Sequence, residues 1–110
     1  MNVEFKKNKL KKQLSSATEI KKAFGVNAKR VASRMDEIYA SPNLAVLCQI
    51  PAANCHPLTG DRNGEWAVDI SSNHRMIFEI SQQPIPKKED NSIDILLVTD
   101  ICILETDDYH

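Results

Sequence analysis

The hydrophobic residues near the N-terminus first alternate with polar ones and then recur at helical spacing. Val3 and Phe5 each have polar neighbours, which predicts a short opening strand. Leu10 and Leu14 lie four positions apart in a lysine-rich stretch and predict a first short helix. The run 17–24 predicts further helical turns, because the glycine that follows it is a natural C-terminal cap.

The strongest helical pattern of the chain comes next and has one apolar stripe. The stripe consists of Val31, Met35, Ile38 and Tyr39. Asn27 is the expected N-cap, and the charged Arg34 is expected to face solvent. Pro42 is expected to end the helix, because the residue before a proline disfavours helical backbone angles. The segment 44–50 is apolar throughout, so its period does not distinguish a strand from a buried helical turn.

The second half of the chain begins with the two-residue period of strands. Trp66, Val68 and Ile70 occupy alternate positions and predict a strand with one buried face. A turn at 71–73 and a second apolar segment at 76–80 complete a predicted hairpin.

The remaining apolar segments predict further strands beyond a polar loop. Positions 82–91 contain two prolines and four charged residues, which is typical of a solvated loop. Ile93 and 95–98 predict a third strand, and 101–104 predict a fourth strand or the end of a long, bulged third one. The element order predicts an α+β fold with one domain over 1–110: an N-terminal short strand and two to three helices packed on one face of a twisted antiparallel sheet.

The composition is that of an ordinary globular domain, with 42% hydrophobic and 26% charged residues. No apolar run has the roughly 20 residues needed to cross a bilayer, and positions 1–7 lack the apolar stretch of a secretory signal. The three cysteines form no C-x-x-C pair, which is typical of free thiols in a reducing compartment. These features predict a cytoplasmic protein with no membrane partner.

Charge is distributed unevenly along a chain whose net charge is −1. Residues 1–40 carry ten Lys and Arg against four Asp and Glu, whereas residues 87–110 carry two against seven. A basic half can face a polyanion such as RNA, which makes Lys6, Lys9 and Lys12 candidate substrate-binding residues. The alternative is that these lysines form only the solvated face of a helix.

The segment 56–64 is a glycine-containing loop that leads into the predicted hairpin. Arg62 lies between two glycines of this loop, and Arg75 follows the hairpin turn. The planar fork of arginine binds two phosphate oxygens at once and stays charged at neutral pH, so the two residues are a candidate phosphate clamp. The alternative for Arg62 is an ion pair with a nearby carboxylate, Asp61 or Glu65.

The last three residues, Asp108-Tyr109-His110, supply groups for proton transfer and stacking. A histidine can give a proton to a leaving 5′-oxygen, or take one from an attacking 2′-hydroxyl, near neutral pH. Tyrosine can stack on a base, and the aspartate can orient either neighbour. RNA cleavage of this kind requires no metal and no cofactor, because the 2′-hydroxyl is an internal nucleophile.

His56 taken alone is more often a capping or packing residue than a catalyst. Together with Cys48 and Cys55 it also suggests a zinc site. However, the spacing of these three residues matches no tetrahedral ligand set, so no metal site is expected.

Three segments together resemble the HigB branch of the RelE/ParE-type toxins. They are Leu58-Thr59-Gly60-Asp61-Arg62-Asn63-Gly64-Glu65-Trp66-Ala67-Val68, then His74-Arg75-Met76-Ile77-Phe78-Glu79, and the terminal Asp108-Tyr109-His110. The resemblance extends to the opening strand and helices. It implies two or three helices packed on a twisted antiparallel sheet. It also implies metal-independent cleavage of mRNA in the ribosomal A site.

The same resemblance implies a site and a set of partners. Carried over by position, the site consists of Arg62, Arg75, Tyr109, His110, His56 and Asp108. The arginines are expected to contact the phosphate, and the tyrosine and terminal histidine to position and protonate the substrate, with the other two as secondary members. The expected partners are a HigA-like helix-turn-helix antitoxin and the ribosome with its mRNA, and operator DNA is expected to be bound only through the antitoxin.

Two residues depart from the pattern that the resemblance rests on. Thr59 stands in the place of a lysine, and Asp69 in the place of an arginine. An added carboxylate repels phosphate unless it pairs with a cation such as Arg75 across the hairpin. Two alternatives therefore stay open: a ParE-like inhibitor of DNA gyrase that cleaves no RNA, and a catalytically weak toxin that mainly binds its antitoxin and co-regulates its operon.

Overall fold

The computed structural model describes residues 1–108, so the roles predicted for Tyr109 and His110 lie outside the described residues. The helices are α1 (Asn8–Gln13), α2 (Ala17–Phe24), α3 (Ala28–Ala40) and α4 (Leu44–Cys48). The strands are β1 (Asn2–Phe5), β2 (His56–Pro57), β3 (Glu65–Asp69), β4 (His74–Ile80) and β5 (Asp100–Asp108). The predicted opening strand, N-terminal helices and hairpin are confirmed. No helix within this range is long and apolar enough to span a membrane.

The strands form one sheet in the order β1-β5-β4-β3-β2. Neighbouring strands are antiparallel except β1 and β5, which run parallel with Val3 opposite Ile101. The sheet is therefore mixed, because β5 starts from the same end of the sheet as β1. A bulge interrupts the pairing of β4 and β5 next to Phe78, which pairs with Ile103 while its neighbour Ile77 pairs with Glu105.

The main core lies between the helices and one face of this sheet, as the α+β prediction requires. Alternate residues of the three central strands supply the sheet side of this core: Trp66, Val68, Met76, Phe78, Ile101 and Ile103. The rings of Trp66 and Phe78 stack with their centroids 6.4 Å apart. Val31, Met35 and Ile38 of α3 supply the helix side. Each of these large side chains contributes roughly 1.5–3 kcal/mol through burial.

The other side of the sheet is called here the open face. It holds a small apolar cluster of Leu58, Ala67, Ile77 and Leu104. Side chains alternate between the two faces along each strand, and directly paired residues share a face. Glu65 and Asp69 of β3, Arg75 and Glu79 of β4, and Glu105 and Asp107 of β5 therefore lie on the open face together with the apolar cluster.

The structure resolves the ambiguous segment 44–50 and corrects the predicted third strand. In the segment 44–50, residues 44–48 form helix α4. The Asn43 side chain caps the N-terminus of this helix by accepting a hydrogen bond from the Val46 amide at 3.0 Å. The segment predicted as the third strand folds instead as a 3-10 turn at Ile95–Leu97, which packs near α4. No strand forms there because the polar loop folds back onto this turn. The side-chain amide of Gln82 donates a hydrogen bond to the carbonyl of Leu97. The following strand is β5, a single long and bulged strand that begins at position 100.

Three expectations for α3 are also corrected. Asn27 makes no capping hydrogen bond with its side chain, because the backbone already runs in a 3-10 turn from α2 into α3. Tyr39 is 53% exposed and does not belong to the buried stripe. Arg34 is 8% exposed instead of facing solvent, because backbone carbonyls of Ala52 and Asp69 accept its guanidinium hydrogens at 3.0 and 2.7 Å.

Candidate functional site

Arg62 is carried on a 3-10 turn, Gly60–Arg62, which returns its side chain toward the open face. Gly60 and Gly64 both have positive φ, at 66° and 95°, which explains the two glycines of this loop. The guanidinium donates to Glu65 at 2.7 Å and to Glu105 at 2.8 Å. These bonds, the one to Glu65 foremost, raise the pKa of Arg62 above its usual value. The predicted alternative partner Glu65 is therefore confirmed, and a second carboxylate joins it.

Arg75 lies on β4 between two carboxylates, with Asp69 opposite on β3 and Asp107 opposite on β5. Its Nε and Nη2 atoms donate to one Asp107 oxygen at 3.2 and 3.1 Å. The expected ion pair with Asp69 is not formed among residues 1–108. The Asp69 carboxylate instead accepts a hydrogen bond from the Asn54 side chain at 3.0 Å.

His56 lies on the short edge strand β2, directly opposite Ala67 of β3. The register continues this row across the sheet to Ile77 and Glu105, so His56 belongs to the open face. Neighbouring strands are about 4.8 Å apart, which separates the Cα atoms of His56 and Arg75 by roughly 12 Å. Their side chains can therefore reach a common phosphodiester from two sides.

Asp108 ends the described part of β5 opposite His74. Its Oδ2 atom lies 3.5 Å from Nε2 of His74, whose Nδ1 lies 3.0 Å from the Ser71 hydroxyl. Sequence reasoning did not select His74 as a site residue. The sequence feature that could have identified His74 is its position directly before Arg75, in the segment 74–79 that resembles the toxins.

The lysines divide into two groups. Lys9 lines a groove of about 200 Å³ beside the end of β5, next to Glu105. Lys7, which sequence reasoning did not select, lines the same groove, whereas Lys12 is exposed and is not among its lining residues. Lys6 is exposed at the end of β1, where its amide donates to the Ile103 carbonyl. The structure therefore brings Lys9 near the open face but does not bring Lys12 there.

The open face is more acidic than a phosphate clamp requires. Its described carboxylates include Glu65, Asp69, Glu79, Glu105 and Asp107, together with Glu4 opposite Cys102. Against these stand the two arginines, and each of them already binds at least one carboxylate. The arrangement holds both guanidinium groups in fixed orientations, and an incoming phosphate competes with the carboxylates that are already bound to them.

The cysteines near His56 are free thiols, and none of the described residues forms a group of three or more metal-ligating side chains. Burial raises the pKa of the Cys55 thiol, and the neighbouring Cys48 raises it further. Burial also raises the pKa of Cys48. Both thiols therefore stay protonated and weakly nucleophilic at neutral pH.

A second surface lies on the helical side, where α2 and α3 form an antiparallel pair. A groove of about 370 Å³ runs between them and is floored by small or apolar residues. The floor consists of Ala17, Ile20, Ala28 and Ala32. Lys21 and Lys29 line its rim, and Val26 at its end is 99% exposed. This surface suits an apolar segment with acidic flanks.

No protein-family model and no curated protein sequence matches the chain. Its structure is similar to the YoeB/ParE toxin from Agrobacterium tumefaciens, with a TM-score of 0.56 and 11% identity over 100% of both chains. It is also similar to a histidine-to-glutamine mutant of YafQ from E. coli, with a TM-score of 0.57 and 11% identity over 97% of this chain and 91% of that one. YafQ from E. coli strain BL21(DE3) matches over the same shares at a TM-score of 0.51 and 11% identity. The chain thus has the fold of the RelE/ParE toxins.

Proposed function

We propose that this chain is the toxin of a type II toxin–antitoxin pair, of HigB type, and that it cleaves mRNA on the ribosome without a metal. The observation that carries the proposal is the placement of Arg62, Arg75 and His56 on one open face of a toxin-type sheet. This face offers guanidinium groups for a phosphate and an imidazole for proton transfer, which is what attack by an RNA 2′-hydroxyl needs.

In this proposal the two arginines bind the scissile phosphate and stabilise the charge that builds on it. Their guanidinium groups stay charged at neutral pH. His56, Tyr109 and His110 serve proton transfer and base positioning, and Asp108 orients the end of β5. Lys9 and its neighbour Lys6 contact the RNA backbone beyond the cleavage point, with Lys12 as a more distant contact.

The carboxylates on both arginines also support dependence on the ribosome. Binding of free RNA is driven mainly by release of counterions from phosphates that meet unpaired cations. Arg62 and Arg75 are already matched by Glu105 and Asp107, so the chain gains little of this free energy from naked RNA. A partner that holds the mRNA in place removes that requirement. We therefore expect cleavage of translated mRNA and weak binding of free RNA.

The proposed antitoxin is a HigA-like helix-turn-helix protein that brings the complex to operator DNA. The groove between α2 and α3 fits an apolar helix of that partner, with the rim lysines Lys21 and Lys29 contacting acidic residues on its flanks. Charge complementarity makes an acidic partner favoured over a basic one. The proposed location is the cytoplasm.

The carboxylates favour a second candidate as well, a toxin of weak or no nuclease activity. With Thr59 in place of a lysine and both arginines paired, the open face holds fewer available cations than a strong RNA-binding surface. Such a chain would mainly bind its antitoxin and co-regulate its operon, or would inhibit DNA gyrase as a ParE-like protein.

One experiment separates these candidates. The wild-type chain, an Arg75→Ala variant and a chain lacking His110 are induced in bacteria, with growth and transcript 5′ ends followed during translation. Arg30→Ala is the matched control, because Arg30 is exposed on α3 away from the open face. Cuts within translated codons support the nuclease if they vanish in Arg75→Ala and in the chain lacking His110 but persist in Arg30→Ala. Growth arrest without cuts points to gyrase, which a DNA supercoiling assay then checks, and absence of any growth effect points to antitoxin binding alone.

A further inference from the structure

A chain of hydrogen bonds links β3 to the edge strand that carries His56. Asn54 precedes this strand with φ 45° and ψ 48°, a left-handed conformation that asparagine adopts more readily than most residues. Its side-chain amide donates to Oδ2 of Asp69 at 3.0 Å. The Asp69 carbonyl in turn accepts from the buried Arg34 at 2.7 Å. The end of β3 is thereby fixed to α3, and Asn54 is fixed to the end of β3.

The backbone carbonyl of Asn54 lies 2.6 Å from Nδ1 of His56. A carbonyl oxygen carries no hydrogen and can only accept, so Nδ1 must hold the proton in this contact. In the neutral imidazole Nε2 then carries the lone pair and is the atom that can take a proton. No hydrogen bond within residues 1–108 occupies Nε2. The Asn54 carbonyl therefore sets which nitrogen of His56 can act as a base.

The Asp69 carboxylate is only partly satisfied by hydrogen bonds. Its Oδ1 atom is buried and has no hydrogen-bond partner in the described part of the chain, which costs free energy. Its other carboxylate oxygen is used on Asn54 instead of on Arg75, the cation directly opposite it in β4. Asp69, which stands in the place of an arginine in the resembling family, thus binds the loop before His56 through Asn54.

We infer that Asp69 is a positioning residue: through Asn54 it holds His56 as the Nδ1–H tautomer, which leaves Nε2 to accept the proton of an RNA 2′-hydroxyl. This inference rests on the proposed ribonuclease function. As the proton passes to Nε2, the 2′-oxygen attacks phosphorus and the bond from phosphorus to the 5′-oxygen breaks. The leaving 5′-oxygen takes a proton from water, and the resulting hydroxide takes the proton back from Nε2. A 2′,3′-cyclic phosphate remains on the other product.

The first test measures the tautomer and does not depend on activity. In the full chain labelled with ¹⁵N, the imidazole nitrogens of the three histidines are recorded above pH 7.5, and His56→Gln assigns those of His56. We expect Nδ1–H in the wild type and in Asp69→Asn, which keeps an acceptor for Asn54. Asp69→Ala removes the acceptor and is expected to give a mixture of tautomers. A His56 with its proton on Nε2, or a single unchanged tautomer in a folded Asp69→Ala chain, overturns the inference.

A second variant covers the case in which Asp69→Ala fails to fold. Asn54→Gly accommodates the left-handed backbone and removes only the side-chain donor, so it is expected to give the same mixture. For cleavage, we expect kcat to fall at least about tenfold in both variants with KM unchanged, a part of the roughly 10²- to 10⁴-fold that a positioned base contributes. Asp69→Asn should keep the wild-type rate and pH profile. If the wild type cleaves no RNA, the proposed function fails while the tautomer measurement still decides the role of Asp69.

Discussion

The Nη2 atom of Arg62 lies 2.8 Å from an Oε1 atom of Glu105, although the two residues are 43 positions apart in the chain. The contact joins the glycine-containing loop to β5 across the open face. It places the first member of the proposed phosphate clamp in a fixed orientation, and it also neutralises its charge. The strength of RNA binding therefore depends on how easily this carboxylate and that of Glu65 give way.

Glu105→Gln is expected to tighten binding of a single-stranded RNA oligonucleotide by about two- to fivefold at low salt. A half-exposed ion pair of this kind contributes up to about 1 kcal/mol, which the phosphate no longer has to displace. Fluorescence anisotropy at several salt concentrations measures the change. The control is Glu79→Gln, which removes the same charge from the same face. Unlike Glu105, Glu79 forms no ion pair within residues 1–108. An equal gain in both variants would show that net charge, and not release of Arg62, controls binding.

Arg34→Met is expected to lower the free energy of unfolding by about 2–4 kcal/mol. The buried guanidinium donates to the carbonyls of Asp69 and Ala52, and methionine leaves both acceptors without a partner. Urea denaturation followed by circular dichroism measures the loss. Arg30→Met on the exposed face of the same helix should change stability by no more than about 0.5 kcal/mol. A similar small loss for Arg34→Met would mean that these bonds do not hold β3 against α3.

The parts of the fold predicted from the sequence are those set by local spacing. The hairpin of β3 and β4 follows from the alternation of Trp66 and Val68, because each strand has one buried face. The helical stripe of α3 fails only at Tyr39, which lies at the end of the helix, where the core no longer covers it. The predicted third strand failed because an apolar segment can cover a helix as a turn just as well as it can join a sheet.

The sequence predicts the two arginines of the open face and one partner of Arg62, Glu65, but not the carboxylates that come from β5. Arg62 and Arg75 were selected by residue type and position, and both lie on the open face. The carboxylates of β5 could not be assigned beforehand, because Glu105 and Asp107 reach the arginines only through the register of β4 with β5, which a bulge shifts. The contact between Asn54 and Asp69 depends likewise on a left-handed residue in the loop before β2.

Substitutions on the two faces of the sheet are expected to differ in cost. Phe78→Ala removes a fully buried ring stacked on Trp66 and should cost about 3–5 kcal/mol, enough to unfold much of a marginally stable domain. Leu104→Ala, in the small cluster of the open face, should cost less, near the lower end of the roughly 2–5 kcal/mol range for such truncations. Thermal denaturation of both variants measures the difference. The reverse order would mean that the open face, and not the helix-covered face, carries the main core.

The partly buried thiol of Cys55 is expected to make stability fall at alkaline pH. Burial foremost, and then Cys48, raise its pKa in the folded chain, whereas an unfolded thiol loses its proton near pH 8.5. The unfolded state therefore binds fewer protons above that pH, and the free energy of unfolding decreases as pH rises, by at most about 1.4 kcal/mol per pH unit for this group. Urea denaturation at pH 7.5 and 9.5 measures the decrease. Cys55→Ala should make this decrease smaller, since only the contributions of other groups remain. An unchanged decrease in that variant would mean that the thiol ionises as easily in the folded chain as in the unfolded one.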